Sequence, residues 1–299
     1  MAGKLSSGVV FWGGLVAVAA VVGAVIFLNN GGSIGGFTSV PRMAGAPRTA
    51  EPVGQYTRFF EKKSADVRSG VVQLNMTYHW YAPQKPWPPG IKFPMVIILH
   101  GAPGNAYAAQ YMLSRDMLLN FPAFIFIPVL PPGMTWYSAA STLEGVPADK
   151  ERPKGLPGAM TIAKQLMQEY PVDASRVYVL GCSEGGVGAF GAVKEYSDML
   201  AGAVSLFGGW HPADAPKFLR TPMLVMHGGA DTVIPVETSR NVSRAVQKLG
   251  GPLQYVEFPG MEHNCPAPNL YGAPTWKWLF SQKKNMTAPS VPPVPSAPK

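Results

Sequence analysis

Val177-Tyr178-Val179-Leu180-Gly181-Cys182-Ser183-Glu184-Gly185-Gly186 is the stretch on which the fold turns. Four apolar residues read as a buried strand, and the strand stops abruptly at a serine flanked by glycines. The pattern G-x-S-x-G describes a nucleophile elbow: a strand meets a helix in a turn so sharp that its neighbours must lack side chains. Gly181, Gly185 and Gly186 supply that room, and the turn lifts the serine oxygen out of the sheet. With 33 glycines in the chain a pentapeptide of this form can arise by chance. Its meaning therefore depends on what stands around it.

Around it, strand-like and helix-like segments alternate. Val71–Tyr81 is extended, and Met95–Leu99 is a continuous apolar run suited to a strand covered on both faces. A helix is expected over Ala108–Leu119, a strand over Ala123–Pro128 and a helix over Gly158–Tyr170. The elbow strand spans Arg176–Leu180 and its helix Gly185–Tyr196. Strands follow at Gly202–Phe207, Met223–His227 and Leu253–Phe258, with a helix over Pro235–Leu249 that Gly250 stops. Such alternation predicts an α/β fold with a mainly parallel central sheet flanked by helices. In such sheets the working residues sit beyond the carboxyl ends of the strands.

Four of those ends carry chemistry. After Met95–Leu99 comes His100-Gly101-Ala102-Pro103-Gly104-Asn105; after the elbow strand comes Ser183. After Met223–Met226 comes His227-Gly228-Gly229-Ala230-Asp231, and after Leu253–Phe258 comes Pro259-Gly260-Met261-Glu262-His263. A serine hydroxyl attacks only when an imidazole takes its proton, and a buried carboxylate must orient that imidazole. Ser183, His263 and Asp231 are the candidates for these roles. The backbone N–H groups of Ala102 and Glu184 are the candidates for the oxyanion, where one donor is worth ~10²–10³ in rate. Alternatives stand beside these readings. Asp231 also suits an N-cap for the helix starting near Pro235, Glu257 and Asp214 are weaker candidates for the acid, and His263 also suits a plain surface position. His100 and His227 support their turns, and His79 reads as structural. Trp136, Tyr137, Phe207 and Trp210 form either an aromatic pocket wall or ordinary packing under a long loop. His211 lines the pocket or is a loop residue. Tyr137–Leu156 is long and polar, as a lid or cap would be. No His/Glu pair has zinc-site spacing, so neither a metal nor a cofactor is expected.

The constellation resembles the α/β-hydrolase superfamily: His100-Gly101 matches its oxyanion turn, Gly181–Gly185 its elbow, His227–Asp231 its acid loop and His263 its late histidine. Within it the chain is similar to secreted esterases related to polyhydroxybutyrate depolymerases, feruloyl esterases and dienelactone-hydrolase-like peptidases, a group for which Asp173-Ala174-Ser175-Arg176-Val177-Tyr178 is typical. The resemblance implies a serine hydrolase cleaving small or polymeric carboxylic esters through an acyl-enzyme. A serine peptidase and a non-catalytic binding protein are the alternatives. Tannase-like feruloyl esterases carry a Cys-Ser … Asp … His-Cys arrangement with the cysteines bonded. The resemblance thus implies a Cys182–Cys265 disulfide, although here Asn264 separates His263 from Cys265. Two small packed cysteines are the other reading.

Composition bounds the setting. Apolar residues make up 47% and charged residues 14%, a balance that suggests a membrane or secretory segment. Residues 9–28 carry no charge, and 20 helical residues span about 30 Å, enough to cross a hydrocarbon core. Residues 1–28 are therefore expected to be a transmembrane signal anchor, with 29–54 a flexible linker, 55–284 the catalytic domain and 285–299 a proline-rich tail. Lys4 ahead of the span favours a cytoplasmic amino terminus and a domain in the periplasm or cell exterior. Cleavage after Ala17-Val18-Ala19, and secretion, is the rival. The net charge of +8 lies largely in the ends, with no dense basic stripe, which reads as a solvated surface without a nucleic-acid partner. No feature sets an oligomeric state.

Overall fold

The computed structural model describes residues 54–102, 104–137, 143 and 152–284. The expected span at 9–28, nearly all of the linker, most of the Tyr137–Leu156 segment and the proline-rich tail lie outside the described residues. Among the described residues no helix is long and apolar enough to cross a membrane.

After a 3-10 turn at Gly54–Phe59, the chain runs β1 (Glu61–Ser69), β2 (Val72–Tyr81), β3 (Phe93–Leu99), α1 (Tyr107–Met112), α2 (Arg115–Asn120), β4 (Phe124–Pro128), α3 (Leu156–Glu169) and β5 (Val172–Cys182). It continues through α4 (Glu184–Tyr196), β6 (Gly202–Leu206), β7 (Met223–Gly228), α5 (Val236–Lys248), β8 (Leu253–Phe258) and α6 (Ala273–Ser281). The strands form one sheet in the order β1-β2-β4-β3-β5-β6-β7-β8. β1 pairs antiparallel with β2, and β2 with β4; from β4 to β8 every pair is parallel.

The apolar runs explain why the sheet is buried on both sides. Along β3, Met95, Ile97 and Leu99 enter one core, and Val96 and Ile98 enter the other, as the two-residue strand period requires. The first core holds α3, α4 and α5 through Met160, Phe190 and Val242. The second holds α1, α2 and α6 through Met112, Met117 and Trp276. Both neighbours of the Ser183 turn are thereby anchored in packed interior.

Three details depart from the sequence expectation. β1 (EKKSADVRS) is read poorly from pattern because it is an edge strand, where charged, exposed residues deter pairing with a further strand. The helix expected over Ala108–Leu119 is two short helices; the break falls at Leu113–Ser114, and Ser114 Oγ caps α2 by accepting from Met117 N–H at 3.4 Å. The 3-10 turn at Pro212–Phe218 and α6 also lie where no element is expected. Proline at their first turns and their shortness leave too little periodicity to read.

Candidate active site

β5 delivers Ser183 into a backbone conformation that a side chain rarely adopts, φ 60° and ψ −123°. Packing around it enforces that turn. A Cβ on Gly181 would stand 2.1 Å from the Gly185 carbonyl oxygen, one on Gly185 would stand 2.0 Å from that of Leu99, and one on Gly186 would stand 2.5 Å from that of Leu206. Only glycine fits at these three positions. Ser183 N–H donates to Leu206 O at 2.8 Å, and Ser183 O accepts from Val187 N–H at 3.0 Å, so the residue joins the sheet to α4.

The turn after β3 lies against this elbow. A Cβ on Gly101 would come within 3.0 Å of Cys182 O and 3.3 Å of Ser183 Cβ. His100 pins that turn from below: Leu130 N–H donates to its Nε2 at 3.1 Å, which leaves Nδ1–H to donate to Gly101 O at 3.0 Å. Its own carbonyl accepts from Trp136 Nε1–H at 2.7 Å. Gly104 N–H closes the turn on Gly101 O at 2.7 Å. Ala102 is exposed at its tip, whereas Glu184 is buried in the first turn of α4.

β7 and β8 supply the other two side chains. Their loops interlock: Ala230 N–H donates to Met261 O at 3.0 Å, and a Cβ on Gly228 would stand 2.2 Å from that oxygen. Asp231 is buried, and its Oδ1 accepts from the N–H groups of Val233 and Ile234 at 2.8 and 3.0 Å. Its Oδ2 accepts from His263 Nδ1 at 2.7 Å and lies 3.1 Å from His227 Nε2. Burial alone would push this carboxyl up. The hydrogen bonds from His227 and His263, with the charge of His263 and the Ile234 N–H, outweigh it and hold Asp231 well below the usual carboxylate range. The N-cap reading of Asp231 does not hold, because α5 begins at Val236 with Pro235 as its cap. Glu257 is engaged by Arg240, at 2.6 and 2.8 Å, and Asp214 by Lys194 and Trp210, each at 2.7 Å.

Cys182 and Cys265 form a disulfide with Cα atoms 6.0 Å apart. It ties the residue before Ser183 to the loop of His263. The extra residue, Asn264, is accommodated by a turn in which Ala267 N–H donates to Asn264 O at 3.1 Å, and Tyr271 OH donates to Cys265 O at 2.8 Å.

Of the two readings of the four aromatic residues, ordinary packing describes most of what the structure places there. Trp136, Phe207 and Trp210 are fully buried and Tyr137 nearly so, with Trp136, Tyr137 and Trp210 set in the core of the α4 face. Trp136 and Tyr137 press on Gly188 and Gly191, where an added Cβ would stand 2.7 and 2.5 Å from their side chains. Tyr137 OH donates to Glu195 at 2.7 Å, and Trp210 stacks on Phe190. His211 accepts from Ala213 N–H at 3.2 Å, capping the 3-10 turn that follows it. Phe207 is the one of the four whose ring lies against the site histidines His227 and His263. At φ 48° it places its ring edgewise to His263 and His227, with centroids 5.3 and 5.6 Å away. Sequence reasoning gave His227 only turn support and missed its contact with Asp231; the HGxxD spacing, which brings both residues round one tight turn, was the available signal. Among the described residues no group of three or more His, Cys, Asp and Glu is arranged to hold a metal ion.

A parallel sheet with a serine elbow and Asp and His loops at its carboxyl edge defines an α/β hydrolase. A model of the Abhydrolase_2 family, described as phospholipase/carboxylesterase, matches residues 91–273, and the chain belongs to that family. A protein of Oryza sativa subsp. japonica described as a probable carboxylesterase is 28% identical over 112 residues, 35% of this chain and 42% of that protein. The chain thus spans less than half the length of the curated relatives it matches. Among solved structures, a thermostable esterase superposes with a TM-score of 0.67 at 24% identity, over 77% of this chain and 65% of the other. The acylaminoacyl peptidase of Pyrococcus horikoshii superposes with a TM-score of 0.53 at 16% identity, over 78% of this chain and 43% of the other.

Proposed function

We propose that the protein is a serine hydrolase of carboxylic esters. The observation that carries this reading is the 2.7 Å hydrogen bond from His263 to the buried Asp231, on a loop that the Cys182–Cys265 disulfide ties to the residue before Ser183. In this reading His263 Nε2 takes the Ser183 proton as Oγ adds to the ester carbonyl. Asp231 fixes the tautomer and stabilises the imidazolium. The N–H groups of Ala102 and Glu184 meet the oxyanion. His263 then protonates the leaving alcohol, and water clears the acyl group from Ser183 by the same route in reverse. No step calls on a metal or cofactor.

Membership in the phospholipase/carboxylesterase family and the rice relative favour an ester. The likeness to an acylaminoacyl peptidase keeps amide cleavage as the second reading. The test is turnover by the full chain of aryl esters graded in acyl length, beside a panel of peptide p-nitroanilides. Ester turnover is expected, falling by about 10⁴-fold or more in Ser183→Ala. Equal rates from both proteins would defeat the proposal, and anilide turnover exceeding ester turnover would replace esterase by peptidase.

We also propose that residues 9–28 tether the domain to a membrane on its exported side, the compartment in which disulfides persist. The full chain is expected in the alkali-resistant membrane fraction and a chain lacking residues 1–28 in the soluble one; recovery of both in the soluble fraction would refute the tether.

A further inference from the structure

Behind the carboxylate of Asp231 stands an imidazole to which the chemistry above assigns no task. His227 lies near the end of β7 and its side chain is fully buried. Nε2 is 3.1 Å from Asp231 Oδ2 and 3.0 Å from Ile234 O. Both are acceptors, so Nε2 carries a hydrogen. Nδ1 is 2.7 Å from Ser239 Oγ on α5. The hydroxyl of Ser239 has one hydrogen, and it donates that hydrogen to Gly208 O at 2.6 Å. A carbonyl cannot donate in return. Towards Nδ1, Ser239 can therefore only accept, and Nδ1 must also carry a hydrogen. A neutral ring has a single N–H and would set lone pair against lone pair at one of these buried contacts.

We propose that His227 is a positioning residue present as a buried imidazolium, the second donor on Asp231 Oδ2 beside His263. The proposal rests on the triad reading above. Among the described residues the groups facing this ring are few. Asp231 lies on its own loop, and His263 on the loop after β8. Glu257 on β8 is in register with His227 and is already paired with Arg240 of α5. Phe207, beyond β6, contributes only a ring edge. Asp231 is thus the carboxylate bonded to the ring, and the His227–Asp231 pair is neutral as a unit. His227 accordingly does two things. It fixes Oδ2, while the Val233 and Ile234 amides fix Oδ1. It also tempers the negative charge that His263 faces.

Two measurements on the full chain test this. In long-range ¹H–¹⁵N spectra with labelled histidine, assigned by the signal lost in His227→Gln, both ring nitrogens of His227 are expected in the protonated shift range. A lone-pair-type nitrogen would overturn the proposal. In His227→Gln, where a side-chain N–H donor persists without the charge, the acid limb of kcat/KM is expected to move upward by about one pH unit. A loss of rate with the limb unmoved would reduce His227 to a packing role and overturn it. If His227→Gln does not fold, the wild-type spectrum, assigned by Ser239→Ala perturbation, decides. The same spectrum recorded on Ser183→Ala separates the two readings: full ester turnover by that variant would defeat the triad assignment and leave the protonation of His227 standing.

Discussion

Ser183 and His263 share one edge of the sheet, but they are held there by different means. The elbow is fixed by backbone against backbone: Gly181, Gly185 and Gly186 meet carbonyl oxygens at distances that no side chain permits. The histidine loop has one such backbone contact, Met261 O against Gly228, and around His263 itself it is held by discrete links: the bond to Asp231, the Ala230–Met261 hydrogen bond and the disulfide. The contrast teaches that the attacking atom is placed by excluded volume. The base is placed by directed bonds that can be removed one at a time.

That difference can be broken from either side. The largest effect is expected from Asp231→Asn, which keeps the shape but lets His263 take the wrong tautomer; kcat should fall about 10⁴-fold with the fold intact by circular dichroism. The same variant has a signature in acid. Because the folded carboxyl of Asp231 is depressed, its stabilisation is fully present above the ordinary carboxylate range, near pH 4, and is lost as pH falls below it. Acid unfolding of Asp231→Asn should therefore be less steep over that interval than that of the wild type, which denaturant titrations at stepped pH would show. Gly185→Ala should come next. A methyl 2.0 Å from the Leu99 carbonyl must push β3 and α4 apart, which costs about 3 kcal/mol and most of the activity with it. A fully active, equally stable Gly185→Ala would show that the elbow is not sterically fixed. The double change Cys182→Ala with Cys265→Ala should be the mildest. Freeing the histidine loop costs about 2–4 kcal/mol of stability by urea titration, and the elbow's strain is left in place. Activity below the new melting point should survive in reduced measure, since the Asp231 bond still aims the ring.

The two regions also differ in how far the sequence reveals them. A steric demand writes itself into residue types at fixed spacing, so Gly181–Gly186 marks both the elbow and the strand and helix on either side. The acid and histidine loops were legible as strand ends in the right order, because apolar runs such as Leu253–Phe258 delimit them. What escaped was whatever depends on long-range fit. Trp136 and Trp210 look like pocket residues beside a catalytic loop, but the room made for Trp136 by Gly188 and the ring stack of Trp210 on Phe190 lie across the fold and leave no local trace. β1 escaped for the opposite reason: it is an edge strand whose Val67 alone enters the core cluster fully buried, while most of its side chains face water. His227 was visible as a residue and invisible as a contact, since its partner Ser239 comes from α5 and is itself turned by Gly208, beyond β6.

The disulfide carries a topological consequence. Cys182 and Cys265 are 83 positions apart, and the segment between them contains Ser183, Asp231 and His263. The candidate nucleophile, acid and base thus sit on one covalent ring threaded through α4, β6, β7, α5 and β8. A single cut by a protease anywhere in that ring opens it without releasing a fragment. The nucleophile and the base stay on one molecule even after the chain between them is severed.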